Sequence, residues 1–207
     1  MATKPVKAEG KVRLRRAAVP GLAALAATGT LMVLTAQGVL GVQFAISGMP
    51  FEVTASSLEG DGFQQYGGLD QTAPGSPNLQ DENGQQVVFV SVIRNATVKD
   101  LCQSVNLVGT NLVIKAGGGA KAVHATNLVL DSDSLTGDEA DFTNINIAQD
   151  ASTLTQVPGL AGPLGVFGQQ ADHVTITNVK QHNWASTAAT FSLPNLSMGF
   201  SDTGCGE

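Results

Sequence analysis

Residues 109–114 read Gly-Thr-Asn-Leu-Val-Ile, and residues 125–130 read Ala-Thr-Asn-Leu-Val-Leu. This sequence pattern, an asparagine between short apolar segments, recurs along the chain at almost constant intervals. Its asparagines are Asn95, Asn111, Asn127, Asn144, Asn178 and Asn195, separated by 16, 16, 17, 34 and 17 residues. The step of 34 contains the Gly/Pro-rich residues 158–168, which we interpret as an inserted loop. The spacing therefore predicts a repeat of about 17 residues.

The apolar positions around each asparagine predict a corner in the backbone. Most copies have apolar residues one and three positions after the asparagine, and several have another two positions before it. A straight strand alternates its side chains between two faces, so positions three apart cannot share a face. The chain must therefore bend or bulge at each copy. Asparagine is one of the few residues besides glycine that tolerate the left-handed backbone of such a corner.

These corners indicate an all-β body, because no helix-period segment of useful length follows Gly48. Strand, corner and strand at a fixed period are typical of a β-solenoid, a parallel β-helix-like stack of coils. Turn signals at the same spacing also mark the hairpins of an antiparallel β-sandwich or curved sheet. We expect a solenoid and keep the antiparallel architecture as the alternative.

The N-terminal part of the chain predicts a membrane or export segment. Six of the eleven basic residues lie within residues 1–16, and no charged residue occurs between Arg16 and Glu52. The apolar run that starts at residue 17 reaches the roughly 20 residues that span a bilayer. We divide the chain into a basic cytoplasmic leader (1–16), a transmembrane anchor or signal helix (17–48) and an extracytoplasmic β domain (49–207). The domain is then single-pass and membrane-bound, or secreted if the leader is cleaved.

The charge of the body argues against nucleic-acid binding. Five basic residues follow Arg16, against sixteen acidic ones, which gives this part of the chain a net charge of −11. Such a surface is repelled by phosphate backbones. The expected lipid contact is made by the N-terminal helix.

The two cysteines, Cys102 and Cys205, are far apart and lack the C-x-x-C spacing of redox or zinc sites. In an oxidising compartment they can pair and tie the C-terminal tail to the body. Two separate buried thiols are the alternative.

Catalytic and metal motifs are weak throughout. No G-x-S-x-G nucleophile motif occurs. Distant residues such as Ser186, His182 and Asp172 can still form a triad, since triads are defined by geometry. His124 and His173 are the other histidines, and surface positions beside strands account for all three.

The acid-rich segment 131–139 suits calcium in composition but fails the EF-hand spacing. The glycines at 117–119 lack a following Lys-Ser/Thr. We predict no metal and no cofactor.

Four segments carry a family resemblance: residues 60–67, 100–105, 117–119 and 165–172. They resemble a family of small actinobacterial proteins of unknown function, exported or membrane-anchored, with a basic leader, an apolar helix and a β-rich body. Many members are labelled cholesterol esterase. The resemblance covers the chain from about Arg13 to the end. It implies lipid-ester hydrolysis outside the cell and a small multi-span membrane protein as partner, but it assigns no nucleophile.

Three functions follow from these observations. The first is a non-catalytic, membrane-anchored protein of the cell envelope, with a structural or interaction role and a tendency to self-associate. The second is an extracellular, cholesterol esterase-like hydrolase of lipid esters. The third is a lipid-binding module, which requires an open apolar groove rather than a filled interior.

Overall fold

The structure, a computed structural model, describes residues 45–78 and 84–206. Within these residues the chain forms strands joined by short turns, together with a 3-10 helical turn at Ala151–Thr153. The strands are β1 (Ala45–Ile46), β2 (Phe51–Thr72), β3 (Gln85–Lys99), β4 (Leu101–Asn106), β5 (Asn111–Ala116), β6 (Val123–Thr136), β7 (Glu139–Thr143), β8 (Asn146–Asp150), β9 (Phe167–Thr187), β10 (Thr190–Ser192) and β11 (Ser197–Ser201).

The strands belong to one curled sheet in which every described pair except β1 with β2 is antiparallel. β2 pairs with β3 along one edge and with β9 along the other. β3 also pairs with β6, and β6 pairs with β9 through a register shift. The four long strands thus share one continuous hydrogen-bonded network, and the shorter strands extend it at its edges.

The curl can be deduced from β2 alone. This strand has 22 residues, and a straight strand of that length measures about 70 Å. Ile46 pairs with Thr72 at the far end of β2, yet Phe51 at the start of β2 is only five Cα steps along the chain from Ile46. Five Cα steps span at most about 19 Å. The two ends of β2 must therefore lie close together, so the strand bends strongly.

Residues with positive φ mark where the sheet bends. Gly62 of β2 (φ 69°) and Asn127 of β6 (φ 47°) both lie opposite Arg94 of β3, in one row across the three strands. Asn178 (φ 49°) makes a second corner within β9. The left-handed backbone at Asn127 lets Ala125 and Leu128, three residues apart, both enter the core. The predicted corner geometry therefore occurs here, but inside long strands.

The expected solenoid is wrong, and the alternative of a curved antiparallel sheet describes the body. Successive coils of a solenoid pair in parallel, whereas Asn95 of β3 lies opposite Thr126 of β6 in an antiparallel ladder. The period of about 17 residues reflects bends and turns in antiparallel strands. The predicted leader and most of the predicted transmembrane or signal helix lie outside the described residues. Among those that are described, no helix is long and apolar enough to span a bilayer.

The core fills the concave side of the sheet and is made of aliphatic side chains with Phe63. A connecting segment, residues 154–166, is fixed across part of the sheet by a buried glutamine. Gln64 donates from Nε2 to the carbonyl of Leu160 (2.5 Å) and accepts at Oε1 from the amide of Val157 (3.0 Å). We call this segment the strap.

Candidate functional site

Strands β4, β5 and β11 form a small flap with two chemically different faces. Directly opposite residues in antiparallel strands point to the same side. One row therefore joins Val105, Leu112 and Phe200, and the next joins Gln103, Ile114 and Met198. The apolar face, as we call it, comprises these two rows with neighbouring residues of β2 and β4: Phe51, Val53, Leu101, Gln103, Val105, Leu112, Ile114, Met198 and Phe200.

The exposure of the apolar face increases toward the edge of the sheet. Leu101 is 7% exposed, whereas Met198 is 60% and Phe200 is 73% exposed. β11 is the last strand on this side, and β5 is its partner among the described strands. Among the described residues no other strand pairs with its outer edge, and its sequence Ser-Met-Gly-Phe-Ser has no charge. Edge strands of soluble proteins are usually protected by charges, proline or a covering segment.

The inner end of the apolar face opens into an apolar cleft. Phe51, Val53 and Leu101 line both, and Leu128, Val179 and Phe191 continue the wall of the cleft. Its cavity measures about 40 Å³, which is far below the 300 Å³ or more of ordinary ligand pockets. Ser186 lines this cleft as well. The described conformation therefore accommodates a small apolar group but not a whole sterol or acyl chain.

The opposite, polar face of the flap carries the cysteines. Cys102 of β4 and Cys205 form a disulfide with a Cα–Cα distance of 5.8 Å. The amide of Cys205 also donates to Oγ of Ser104 (2.8 Å). Because β11 ends at Ser201, the bond ties the segment after β11 to the strand two positions inward. The disulfide therefore holds the edge of the sheet in place.

Two carboxyl groups of the body are buried, and one of them, that of Asp70, lies beside the strap. Asp70 of β2 is 4% exposed and Asp131 of β6 is 3% exposed. Oδ2 of Asp70 accepts no hydrogen bond from a described N–H or O–H group. Asp70 lines a cavity of about 90 Å³ with Tyr66 and with Leu160 of the strap.

The pKa values of this cluster are shifted by burial. Burial raises the pKa of Asp131 to about 7, with further contributions from the negative charge of Asp70 and the hydrogen bond between the two groups. Burial also raises the pKa of Asp70, although the hydrogen bond from Asp131 opposes that shift. The pKa of Tyr66 rises to about 12 through burial and the nearby charge of Asp131. The pair therefore retains a proton well above the usual range of aspartate.

The structure does not assemble the triad considered from sequence. Nδ1 of His182 contacts Oδ1 of Asp133 (2.7 Å), and Oδ2 of Asp133 accepts from Nε1 of Trp184 (2.8 Å). His182 lines a polar groove on the polar side of the flap, while Ser186 lines the apolar cleft. Asp172 instead accepts from Nδ2 of Asn144 (2.6 Å) and Nε2 of Gln156 (2.6 Å), which lowers its pKa.

The other two histidines are half-exposed or exposed residues on strands. Nδ1 of His173 contacts Asp61 (2.8 Å) across the β2–β9 ladder, and its Nε2 contacts Thr175 (3.2 Å). Nδ1 of His124 contacts Oγ1 of Thr97 (3.4 Å). Neither histidine is among the residues that line the apolar cleft.

The six predicted corner asparagines lie in three kinds of place. Asn127 and Asn178 bend long strands, whereas Asn144 (φ 53°) and Asn195 (φ 56°) lie in connections between short strands. Nδ2 of Asn195 donates to the carbonyl of Gly118 (3.2 Å). Two lack a positive φ: Asn95 is an exposed residue within β3, and Asn111 is a buried residue at the start of β5. The repeat thus marks several different structural positions.

The acidic residues 131–139 do not converge on one point. Asp131 is buried, whereas Asp133 contacts His182 and Asp138 accepts from Nδ2 of Asn178 (2.5 Å). Within residues 45–78 and 84–206, no three histidine, cysteine or acidic side chains are grouped as metal ligands. Sequence reasoning missed the Asp70–Asp131 pair, because 61 residues separate two aspartates that only the curl of the sheet brings together.

Fold and site together define a small all-β domain with an amphipathic flap, an exposed apolar edge and a buried carboxyl pair. The chain belongs to DUF6230, a family of unknown function, whose family model matches residues 47–206. No curated protein and no solved structure matches the chain. The family match covers the described body from the end of β1 to the disulfide.

Proposed function

We propose that this chain is a non-catalytic protein of the bacterial cell envelope that associates with a second copy of itself through β11. The observation that carries the proposal is the uncharged, unpaired edge of β11, with Met198 and Phe200 exposed beside it. A protein with a strongly acidic surface has few places where two copies can approach without charge repulsion, and this edge is one of them.

The sequence of β11 is self-complementary in an antiparallel pair. With Gly199 on a two-fold axis, Met198 of one copy lies opposite Phe200 of the other, and Ser197 lies opposite Ser201. Such a contact is isologous and closes as a dimer. It extends the sheet across the two copies, satisfies the free backbone groups, and places two large apolar side chains of each copy against those of the other.

Replacing Phe200 by glutamate tests this proposal. We expect the 207-residue chain, purified in mild detergent, to sediment as a dimer and Phe200→Glu to sediment as a monomer at the same concentration. Val87→Glu is the matched control, because Val87 is also 73% exposed but lies near the start of β3, a strand that does not pair with β11. A monomeric parent chain, or a Phe200→Glu variant that remains dimeric, contradicts self-association. Specific cross-linking of Phe200 to a membrane protein instead of a second copy also rejects it.

We further propose that the chain is a single-pass membrane protein whose β domain lies outside the cytoplasm. The basic residues 1–16, the apolar segment that follows and the Cys102–Cys205 disulfide support this placement. A C-terminal fusion to alkaline phosphatase, which is active only after export, is expected to be active. A matched fusion to a protein that fluoresces only in the cytoplasm should remain dark. The reverse result excludes an exported domain.

Lipid binding is a second candidate function, and the apolar cleft favours it. The cleft joins the exposed apolar face, so a chain-like ligand bound on the face can place one end in the 40 Å³ cavity. Leu128→Trp should fill the cleft and abolish lipid co-purification measured by mass spectrometry. Unchanged lipid content in Leu128→Trp rejects the cleft as a lipid site.

Ester hydrolysis is the remaining alternative, and its only support is the resemblance of the sequence to proteins labelled cholesterol esterase. Ser186 is the hydroxyl residue to test, because it lines the cleft. We expect Ser186→Ala to leave any fatty-acid release from a cholesteryl ester at the level of the parent chain. Loss of turnover in this variant would establish the chain as an enzyme.

A further inference from the structure

We propose that the sheet end formed by the last residues of β2 and the first residues of β3 rests on a lipid bilayer through an apolar patch. The end patch, as we call it, comprises Leu69, Val87, Phe89, Ile147 and Phe167. Phe63 of the core lies on the same side of β2, six residues before Leu69. This contact rests on the proposed single-pass placement of the chain and adds a second contact with the same membrane.

Strand pairing brings the members of the end patch together. Leu69 lies opposite Val87, and Gly67 lies opposite Phe89, so both pairs point to the same side of the sheet. Phe167 begins β9 beside Gly67, one residue beyond the last pair between β2 and β9. Val87 is 73%, Phe167 58% and Leu69 41% exposed. Neighbouring exposed apolar side chains of this kind mark an interaction surface.

The polar row between the end patch and the core is already hydrogen-bonded. Nε2 of Gln169 donates to Oε1 of Gln65 (2.8 Å), and Nε2 of Gln65 donates to Oγ of Ser91 (2.8 Å). Ile147, which is 60% exposed, lies opposite Gln169 at the outer end of this row. Because these side chains are partners of one another, covering the row with lipid costs less than covering unpaired polar groups.

The position of β1 identifies a bilayer as the surface that covers the end patch. β1 pairs in parallel with residues 71–72, directly beyond Leu69 in β2. Because this pairing is parallel, the N-terminal end of β1 points back toward Leu69. The sequence before β1 carries no charge from residue 17 onward and is the predicted membrane segment. A bilayer that holds this segment therefore meets the sheet at the end patch.

The chemistry of the end patch favours insertion of apolar side chains over attraction to charged head groups. None of the five basic residues that follow Arg16 belongs to it, and the body has a net charge of −11. Asp150 lies opposite Phe167 at the rim. Its carboxylate accepts from the amides of Ser152 (3.0 Å) and Gly165 (2.8 Å), so a negative charge is held at the edge of the patch. We therefore expect contact with a zwitterionic lipid surface.

A fluorophore attached to the 207-residue chain tests this contact. Val87→Cys and Asn95→Cys place a reactive thiol at two exposed positions of β3, eight residues apart, while the native cysteines remain in their disulfide. Each variant is labelled with an environment-sensitive dye and reconstituted into phosphatidylcholine vesicles. A lipid that carries a nitroxide near its head group should quench the dye at position 87 several-fold more than the dye at position 95.

A charge placed in the end patch should break the contact. Phe167→Glu should lower the quenching at position 87 to the level at position 95. Phe200→Glu is the matched control, because it makes the same substitution at an exposed phenylalanine of β11 and should leave the quenching unchanged. A photoreactive benzoylphenylalanine at position 167 identifies what covers the patch, and we expect it to cross-link to phospholipid.

Two results would overturn the contact. One is equal quenching at positions 87 and 95. The other is a cross-link from position 167 to protein instead of lipid, whether to residues 17–44 or to a second copy. The alkaline phosphatase fusion separates this failure from failure of the proposed placement. An active fusion with equal quenching rejects the end patch alone, whereas an inactive fusion rejects the exported domain on which the contact rests.

Discussion

At the scale of single residues, Asp131 should make the stability of the protein depend on pH. Its folded pKa of about 7 lies above the ordinary aspartate value of 3.8, so the folded state retains a proton that the unfolded state loses between these values. The stabilising contribution is complete below about pH 4 and is lost as the pH rises through 7. The slope is at most about 1.4 kcal/mol per pH unit.

We therefore expect the melting temperature to fall as the pH is raised from 5 to 8, and Asp131→Asn to flatten this decline. The groups nearest to Asp131 are Asp70, which titrates together with it, and Tyr66, which stays neutral in this range. Glu139→Gln serves as the control because its carboxyl group is exposed. A variant Asp131→Asn with the same pH profile as the parent chain would contradict the shifted pKa.

Asn127 should be more sensitive to substitution than Asn95. The left-handed backbone at Asn127 is strained for residues with a Cβ, and less so for asparagine than for alanine. Asn127→Ala should lower the free energy of unfolding by about 1 kcal/mol, whereas Asn127→Gly should be close to neutral. Asn95→Ala, at an exposed position without positive φ, should change it by less than about 0.5 kcal/mol. Urea unfolding measures all three, and equal losses at both asparagines would contradict the corner role.

The sequence predicted that the backbone bends near these asparagines, but not where each bend lies in the fold. The three-residue spacing of apolar positions around Asn127 and Asn178 required a bend, since both sets of side chains enter one core. The same pattern surrounds Asn95, but Asn95 has no left-handed backbone. In the neighbouring row through Arg94, the left-handed residues are Gly62 of β2 and Asn127 of β6. Whether a corner belongs to a coil or to a bent strand depends on pairing partners, which local spacing does not encode.

At the scale of elements, the disulfide should stabilise the edge of the sheet. It closes a loop of 103 residues, and native disulfides commonly contribute about 2–4 kcal/mol. The double variant Cys102→Ser/Cys205→Ser should unfold at lower urea concentration. Hydrogen exchange should quicken most in β11 and β5, and least in β2 and β9, which pair along most of their length. Uniform acceleration across the sheet would contradict a local role.

The flap also shows which part of the candidate site can be predicted from the sequence. Ser-Met-Gly-Phe-Ser alternates small or polar residues with large apolar ones and lacks charge, which marks a strand with one apolar face. The two cysteines predicted a possible tie between the C-terminal tail and the body, with two separate thiols as the alternative. The carboxyl pair had no such signal, because an isolated aspartate in a β-segment looks the same whether it ends up buried or exposed.

At the scale of the whole molecule, the acidic charge makes the proposed dimer dependent on salt. Each body carries a net charge of −11, so two copies repel each other over distances longer than the contact itself. The screening length falls from about 30 Å at 10 mM salt to about 8 Å at 150 mM. Because β11 contributes no ion pair to the contact, salt should weaken the repulsion without removing an attraction. We therefore expect the dimer to tighten as salt is raised over this range, measured by sedimentation velocity. An interface made by ion pairs would weaken instead, and that result would place the contact elsewhere on the sheet.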